Sequence, residues 1–191
     1  MVVFAGMCRC RSDDGDERDL PAGLGEFVAT LRGADAVGAR SGYRSGSLRD
    51  RDAYVREWTA AARDVIDPAA VLAAWEEALA APEWNGRPVW THGDLLPGNL
   101  LVRDGRLSGV IDFGAAGVGD PACDAIPAWA LLSDHTRATF RAAAGFDDAT
   151  WARGRGWALT FVAALTYYRE TNPVMAALAR RAIEAVLATR S

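Results

Sequence analysis

The chain has 191 residues, half of them hydrophobic, and its 21 basic and 25 acidic residues give a formal net charge of −4. That composition excludes general disorder, and the acidic balance offers no basic footprint for nucleic acid. At this length one domain with a sizeable core is expected.

Residues 1–19 open on a short apolar run and then switch to RSDDGDERD, a charged stretch that reads as a disordered tail. Residues 1–7 lack the basic start and long apolar core of a signal peptide. Leu24, Phe27, Val28 and Leu31 follow the spacing of an amphipathic helix that Gly33 ends. Gly38, Gly42 and Gly46 recur in GARSGYRSGS with no apolar strand before them, so this stretch reads as a flexible loop. A second helix fits residues 51–66, with Val55, Trp58, Ala62 and Val65 on one face. Asp67-Pro68 then supplies an N-cap and a first-turn proline for a third helix, which Pro82 closes.

Residues 90–114, WTHGDLLPGNLLVRDGRLSGVIDFG, carry the chemistry. Leu100, Leu101 and Val102 form a short apolar run, Asp104-Gly105 is a hairpin signal, and residues 107–111 return antiparallel. With Arg103 paired to Arg106, Asn99 falls opposite Val110 and Asp112 projects from the same face on the diagonal. Diagonal neighbours lie roughly 7–8 Å apart, a gap that side chains sharing one metal ion can close. Oxygen ligands of this kind suit magnesium. Asp94 lies just before the hairpin, placed to take or orient the proton of an attacking hydroxyl. An acid, an amide and a second acid at these intervals are the catalytic-loop and metal-loop pattern of kinase-fold enzymes.

Asp120-Pro121 repeats the helix-start signal for a helix running toward Leu132. Ser133 is expected to cap residues 134–144, Asp147 to cap a helix through Tyr168, and Asn172-Pro173 to open the last helix. The apolar run at residues 157–168 is too short to span a bilayer and reads as a buried helix. Cys8, Cys10 and Cys123 make an odd count that fits a reduced, cytoplasmic setting. His92 and His135 are too few for a histidine-rich metal site.

His92-Gly93-Asp94-Leu95, Pro97-Gly98-Asn99-Leu100, Ile111-Asp112-Phe113-Gly114 and the GDPACD run at residues 119–124 together resemble the aminoglycoside phosphotransferase family, relatives of macrolide and choline kinases. The resemblance implies an α+β, mostly α-helical fold, the C-terminal lobe of the protein-kinase-like architecture with its small catalytic hairpin at about residues 99–112. It implies phosphoryl transfer from ATP or another nucleoside triphosphate, with magnesium, to a hydroxyl of an antibiotic-like small molecule. By the same resemblance Asp94 is the catalytic base, Asn99 and Asp112 hold the metal, His92 braces the loop, and Asp124 buttresses it from the next helix. Residues 20–191 form this lobe, with catalytic and metal loops at 90–124 and substrate-side helices at 125–191.

The nucleotide-binding half is not legible. Every basic residue is arginine, and no glycine-rich phosphate loop or strand lysine is present, so no nucleotide-binding residue can be assigned and an N-terminal lobe, covalent or separate, is expected to be missing. From Ala125 onward eight arginines face five acids, a balance that disfavours a polycationic acceptor. Trp129, Trp151, Trp157, Phe161, Tyr167 and Tyr168 are candidates for a more apolar acceptor pocket, or else core aromatics on helices. A catalytically silent remnant or binding module and, more remotely, a metal-dependent hydrolase are the competing readings.

Overall fold

The computed structural model describes residues 19–189; of the tail expected over residues 1–19, Asp19 instead opens a helix and the rest lies outside the described residues. Helix α1 (Asp19–Arg32) is followed by an irregular segment and a 3₁₀ turn at Leu48–Arg51. Helices α2 (Asp52–Ala61) and α3 (Pro68–Leu79) lead to strand β1 (Val89–Thr91). The hairpin β2 (Leu100–Arg103) and β3 (Arg106–Val110) comes next, then β4 (Gly117–Gly119). Five helices close the chain: α4 (Pro127–Ala130), α5 (Asp134–Ala144), α6 (Asp148–Leu159), α7 (Ala164–Tyr167) and α8 (Pro173–Ala188). The fold is therefore α+β and mostly helical, as the sequence implied.

Local chemistry explains most boundaries. Asp67 Oδ1 accepts from the backbone N–H groups of Ala69 and Ala70 at 2.9 and 3.3 Å, so α3 starts at Pro68. Asp147 Oδ1 caps α6 through Thr150 N–H at 2.7 Å, and Asn172 Oδ1 caps α8 through Met175 N–H at 3.1 Å. Helix α5 ends at Gly145, whose φ of 63° lies in the left-handed region.

Other boundaries depart from expectation. Ser133 precedes α5 but makes no backbone cap, because its hydroxyl pairs with the Thr136 hydroxyl at 3.1 Å. The second helix runs only over Asp52–Ala61, led into by a 3₁₀ turn at Leu48–Arg51 and ending five residues before the expected residue 66. The single helix expected from Asp120 toward Leu132 is a 3₁₀ turn at Pro121–Ala125 followed by short α4. Pro127 causes the break, since it has no N–H to give and its ring crowds the carbonyl four residues earlier. The helix expected from Asp147 through Tyr168 is interrupted by a 3₁₀ turn at Thr160–Ala163. There the hydroxyls of Thr160 and Thr166 donate to the carbonyls of Trp157 and Ala163, competing with the helical ladder.

The core is helical. Trp75, Trp129, Trp157 and Phe140 are fully buried among aliphatic side chains of α1, α3, α6 and α8. Strands β1 and β4 pair antiparallel, Val89 with Gly119 and Thr91 with Gly117. Of the run at residues 157–168 expected to be buried, residues 157–165 are, except for the half-buried Thr160, whereas Tyr167 is exposed and Thr166 and Tyr168 are half-buried. Among the described residues no helix is long and apolar enough to cross a membrane.

Two elements position the catalytic stretch. The hairpin pairs Arg103 with Arg106 as expected, but a bulge between Leu101 and Val102 shifts the register beyond it. Leu100 rather than Asn99 faces Val110, and the Ile111 N–H donates to the Asn99 carbonyl at 2.9 Å. The diagonal placement of Asp112 therefore does not hold, because one extra residue reverses which face each later side chain takes. The second element is residues 40–45, the supposed flexible loop. It is irregular but pinned along β4: Ser41 bridges Val118, the Val118 N–H donates to the Arg40 carbonyl, and the Asp120 N–H donates to the Ser45 carbonyl. Such close approach needs the glycines of β4. A Cβ on Gly119 would lie 2.0 Å from the Ser45 carbonyl oxygen, and one on Gly117 would lie 2.2 Å from Gly42 N.

Candidate active site

The site grows from the turn after β1. Gly93 sits at φ +75°, where a Cβ would stand 2.9 Å from the Ala115 carbonyl oxygen, so a glycine lets the chain reverse there. The turn presents two backbone N–H groups inward, and Asp124 receives both. His92 N–H donates to its Oδ2 and Gly93 N–H to its Oδ1, each at 2.8 Å. Asp124 is almost wholly buried. Burial pushes its carboxyl above the usual carboxylate range, against the pull of those two N–H groups. Its neighbour Asp120 is anchored by Arg153, whose Nε and Nη2 reach the two carboxylate oxygens at 2.7 and 3.0 Å in a buried pair. The GDPACD run thus ties the turn after β1, held through Asp124, to α6, held through Asp120 and Arg153.

His92 is fully buried and spans the loops. Its Nδ1 accepts from the Asp94 N–H at 3.2 Å, which assigns the ring proton to Nε2, 3.1 Å from the Ile111 carbonyl. Its ring meets Phe113 edge-on at 4.7 Å and Phe27 of α1 at 6.4 Å. One histidine thereby links the Asp94 loop, the end of β3 and helix α1.

The Asp94 carboxylate is held from two sides. Asn99 Nδ2 donates to Oδ2 at 2.9 Å and to the Asp94 carbonyl at 2.8 Å. Arg44 Nη1 donates to Oδ1 at 3.0 Å and to the Gly93 carbonyl at 2.6 Å. Arg44 was not singled out from the sequence. It lies 50 residues upstream in a stretch without periodicity, and only the packing of residues 40–45 on β4 brings it here. The Asp94 side chain keeps 30% of its exposure and opens onto a cleft of about 460 Å³.

Asp112 is not joined to Asp94 or Asn99 by any hydrogen bond among the described residues. It adopts the left-handed conformation at φ 61°, strained for a residue with a side chain, while its Oδ1 accepts from Gly114 N–H at 3.3 Å. Its carboxylate is exposed and forms no ion pair among the described residues, and the Asn99 Oδ1 takes no hydrogen bond there. The described residues contain no cluster of three or more His, Cys, Asp or Glu residues able to hold a metal. A hard-cation site made from one carboxylate and one amide oxygen, completed by water and phosphate, still fits what Asp112 and Asn99 offer.

The aromatic candidates divide. Trp157, Phe161, Tyr167 and Tyr168 line the cleft beside Asp94. Trp129 and Trp151 instead meet at 4.8 Å with their rings tilted by 42°, Trp151 also contacting Phe140 and Phe146 in the core.

The sequence profile of the phosphotransferase enzyme family (APH) matches residues 10–157. The chain belongs to that family. Solved structures of similar fold include the macrolide 2′-phosphotransferase MphH of Brachybacterium faecium, 24% identical over 100% of this chain and 66% of that one, with a TM-score of 0.55. A macrolide 2′-phosphotransferase type I is 23% identical over 94% of this chain and 64% of that one, with a TM-score of 0.57. A choline/ethanolamine kinase family protein of Mesorhizobium loti is 20% identical over 88% of this chain and 65% of its own length, with a TM-score of 0.54. The chain therefore spans less than two thirds of the length of these structures, and at such identities the likeness shows the fold. A comparison with curated proteins finds none that matches.

Proposed function

We propose that this family member is the catalytic lobe of an ATP-dependent phosphotransferase that moves a phosphoryl group onto a hydroxyl of a small molecule. The observation that carries the reading is Asp94, a carboxylate oriented from both sides and open to an aromatic cleft beside the hairpin. In this reading Asp94 accepts or orients the proton of the acceptor hydroxyl. Asn99 orients Asp94 through Nδ2 and keeps Oδ1 for a metal, and Asp112 offers its exposed carboxylate to the same ion. Magnesium bound there would neutralise charge on the phosphoryl oxygens. His92 and Asp124 hold the loop that carries the base.

Nucleotide use is supported by relatives of the same fold described as bound to ADP or to AMP-PNP. Because the chain has no lysine, we assign the main grip on the triphosphate to a glycine-rich, lysine-bearing N-terminal lobe, covalent or separate. The cleft lining favours a largely apolar acceptor over a polycationic aminoglycoside, since its one acid among the described residues is Asp94. Cys123 is a buried free thiol, which suits the reduced cytoplasm to which we assign the protein.

The test is magnesium-dependent transfer from ATP and GTP to a panel of hydroxylated acceptors, by the chain alone and by the chain fused to a relative's N-terminal lobe. Asp94→Asn should lower the rate by about 10²–10⁴-fold. Transfer that Asp94→Asn leaves untouched would refute the assigned role, and no transfer in either form would make the chain a silent remnant. Tight magnesium–ATP binding by the chain alone would refute the need for a second lobe.

A further inference from the structure

The cleft beside Asp94 carries more positive than negative charge. Its charged wall residues are Asp94, Arg44 and Arg51. Arg44 already matches Asp94 through their 3.0 Å pair. Arg51 has no carboxylate partner among the described residues. Its Nη2 donates to the Tyr43 carbonyl at 2.9 Å, and its guanidinium lies against the rings of Tyr43 at 5.2 Å and Trp157 at 5.7 Å. Aromatic faces stabilise the cation without consuming its N–H donors, which lie in the guanidinium plane. Apart from the Tyr43 contact, none of those donors has a hydrogen-bond partner among the described residues. A guanidinium fixed in this way, with its edge unspent, matches the planar fork of a carboxylate.

The acids of the C-terminal helices do not offset this surplus, since none of the five lines the cleft. Asp134 pairs with Arg137, Asp148 pairs with Arg141, and Asp147 caps α6. A polyamine entering the cleft would meet one carboxylate among the described residues, already paired with Arg44. We infer that the acceptor is a hydroxylated, partly apolar molecule that also bears a carboxylate, and that Arg51 receives that carboxylate while the hydroxyl meets Asp94. The inference rests on the cleft being the acceptor site of the proposed phosphotransferase.

The experiment is a calorimetric titration of the chain, without nucleotide, using three probes on one scaffold. These are para-hydroxymethyl phenylpropanoate, its primary amide and the corresponding amine. The propanoate should bind at least about tenfold tighter than the amide, the factor one charge-assisted hydrogen bond supplies at about 1.4 kcal/mol, and the amine should bind most weakly. Added salt should erode the preference. Arg51→Gln should bring the propanoate to the level of the amide, and Arg51→Lys should keep part of the difference. The inference is overturned if the amide or amine binds as tightly as the propanoate, if Arg51→Gln leaves the preference intact, or if the propanoate shows no saturable binding at millimolar concentration. The ranking of probes by the unmodified chain is decisive even if Arg51→Gln folds poorly. Absence of phosphoryl transfer would sink the proposed reaction and leave this binding preference standing. Transfer to the amine but not to the propanoate would do the reverse.

Discussion

Replacing Asp124 by alanine removes the single acceptor of two inward-facing backbone donors. His92 N–H and Gly93 N–H both lie 2.8 Å from its carboxylate, and the site is closed to water. A buried donor left without a partner costs about 1–3 kcal/mol, so the two together cost about 2–6 kcal/mol. Part of this is returned, because the fold no longer has to bury a carboxyl that burial itself pushes upward. A net loss of about 2–4 kcal/mol remains, a large share of the roughly 5–15 kcal/mol that holds a domain folded. At about 2–4 °C per kcal/mol for a chain of this size, the melting temperature should fall by roughly 4–16 °C. Asp124→Asn keeps the shape and one acceptor oxygen, so it should cost about half as much. Thermal melting by circular dichroism measures the loss, and hydrogen exchange at His92 and Gly93 locates it, since these amides should lose protection first. A variant Asp124→Ala melting within about 1 °C of the unmodified chain, with those two amides still protected, would refute the buttress.

Three further outcomes follow from the same geometry. Gly119→Ala drives a Cβ to 2.0 Å from the Ser45 carbonyl oxygen and should cost about 1–3 kcal/mol, whereas Gly98→Ala, with nothing within 4 Å, should leave the denaturation midpoint unchanged. Equal midpoints would mean that residues 40–45 do not rest on β4. Arg44→Met breaks a partly exposed ion pair and should cost less than about 1 kcal/mol of stability. It should nonetheless lower kcat about 10²-fold, since a small misplacement of a reacting group can cost that much, with acceptor KM changed far less; an unchanged kcat would remove Arg44 from the site. Asp147 is held below the usual carboxylate range by the Thr150 hydroxyl and then the Thr150 N–H. Because the folded value is depressed, its contribution is fully present above about 3.9, the ordinary carboxylate pKa, and is lost as pH falls through the folded value. The stability advantage over Asp147→Asn should therefore shrink in acid, and an advantage that persists at strongly acidic pH would contradict the cap.

The stretch that carries the family's motifs was readable in the sequence because its spacing is local. Asp94, Asn99 and Asp112 sit within nineteen consecutive residues, and Asp67, Asp147 and Asn172 announce helix starts within three residues of the donors they cap. The hairpin turn at Asp104-Gly105 was legible for the same reason, both residues taking positive φ. A bulge has no such signature, so the register beyond Val102 was not legible, and Asp112 reaches its place through a left-handed backbone rather than strand alternation. The breaks in the later helices were partly hidden too: Pro127 was visible, but the competing threonine hydroxyls act only once neighbouring carbonyls are in reach. Arg44 and Arg51 belong to the tertiary structure altogether. Their chemistry depends on β4 being smooth enough, through Gly117 and Gly119, for residues 40–45 to lie against it, and on Trp157 and Phe161 arriving from α6 and the turn that follows it. The family, and the motif residues we propose to react, could be read without a structure, because both depend on residue type at short spacing. Which cation holds the Asp94 carboxylate, and what charge the cleft beside it presents, came from contacts between residues as much as 117 positions apart, which only packing of the chain can create.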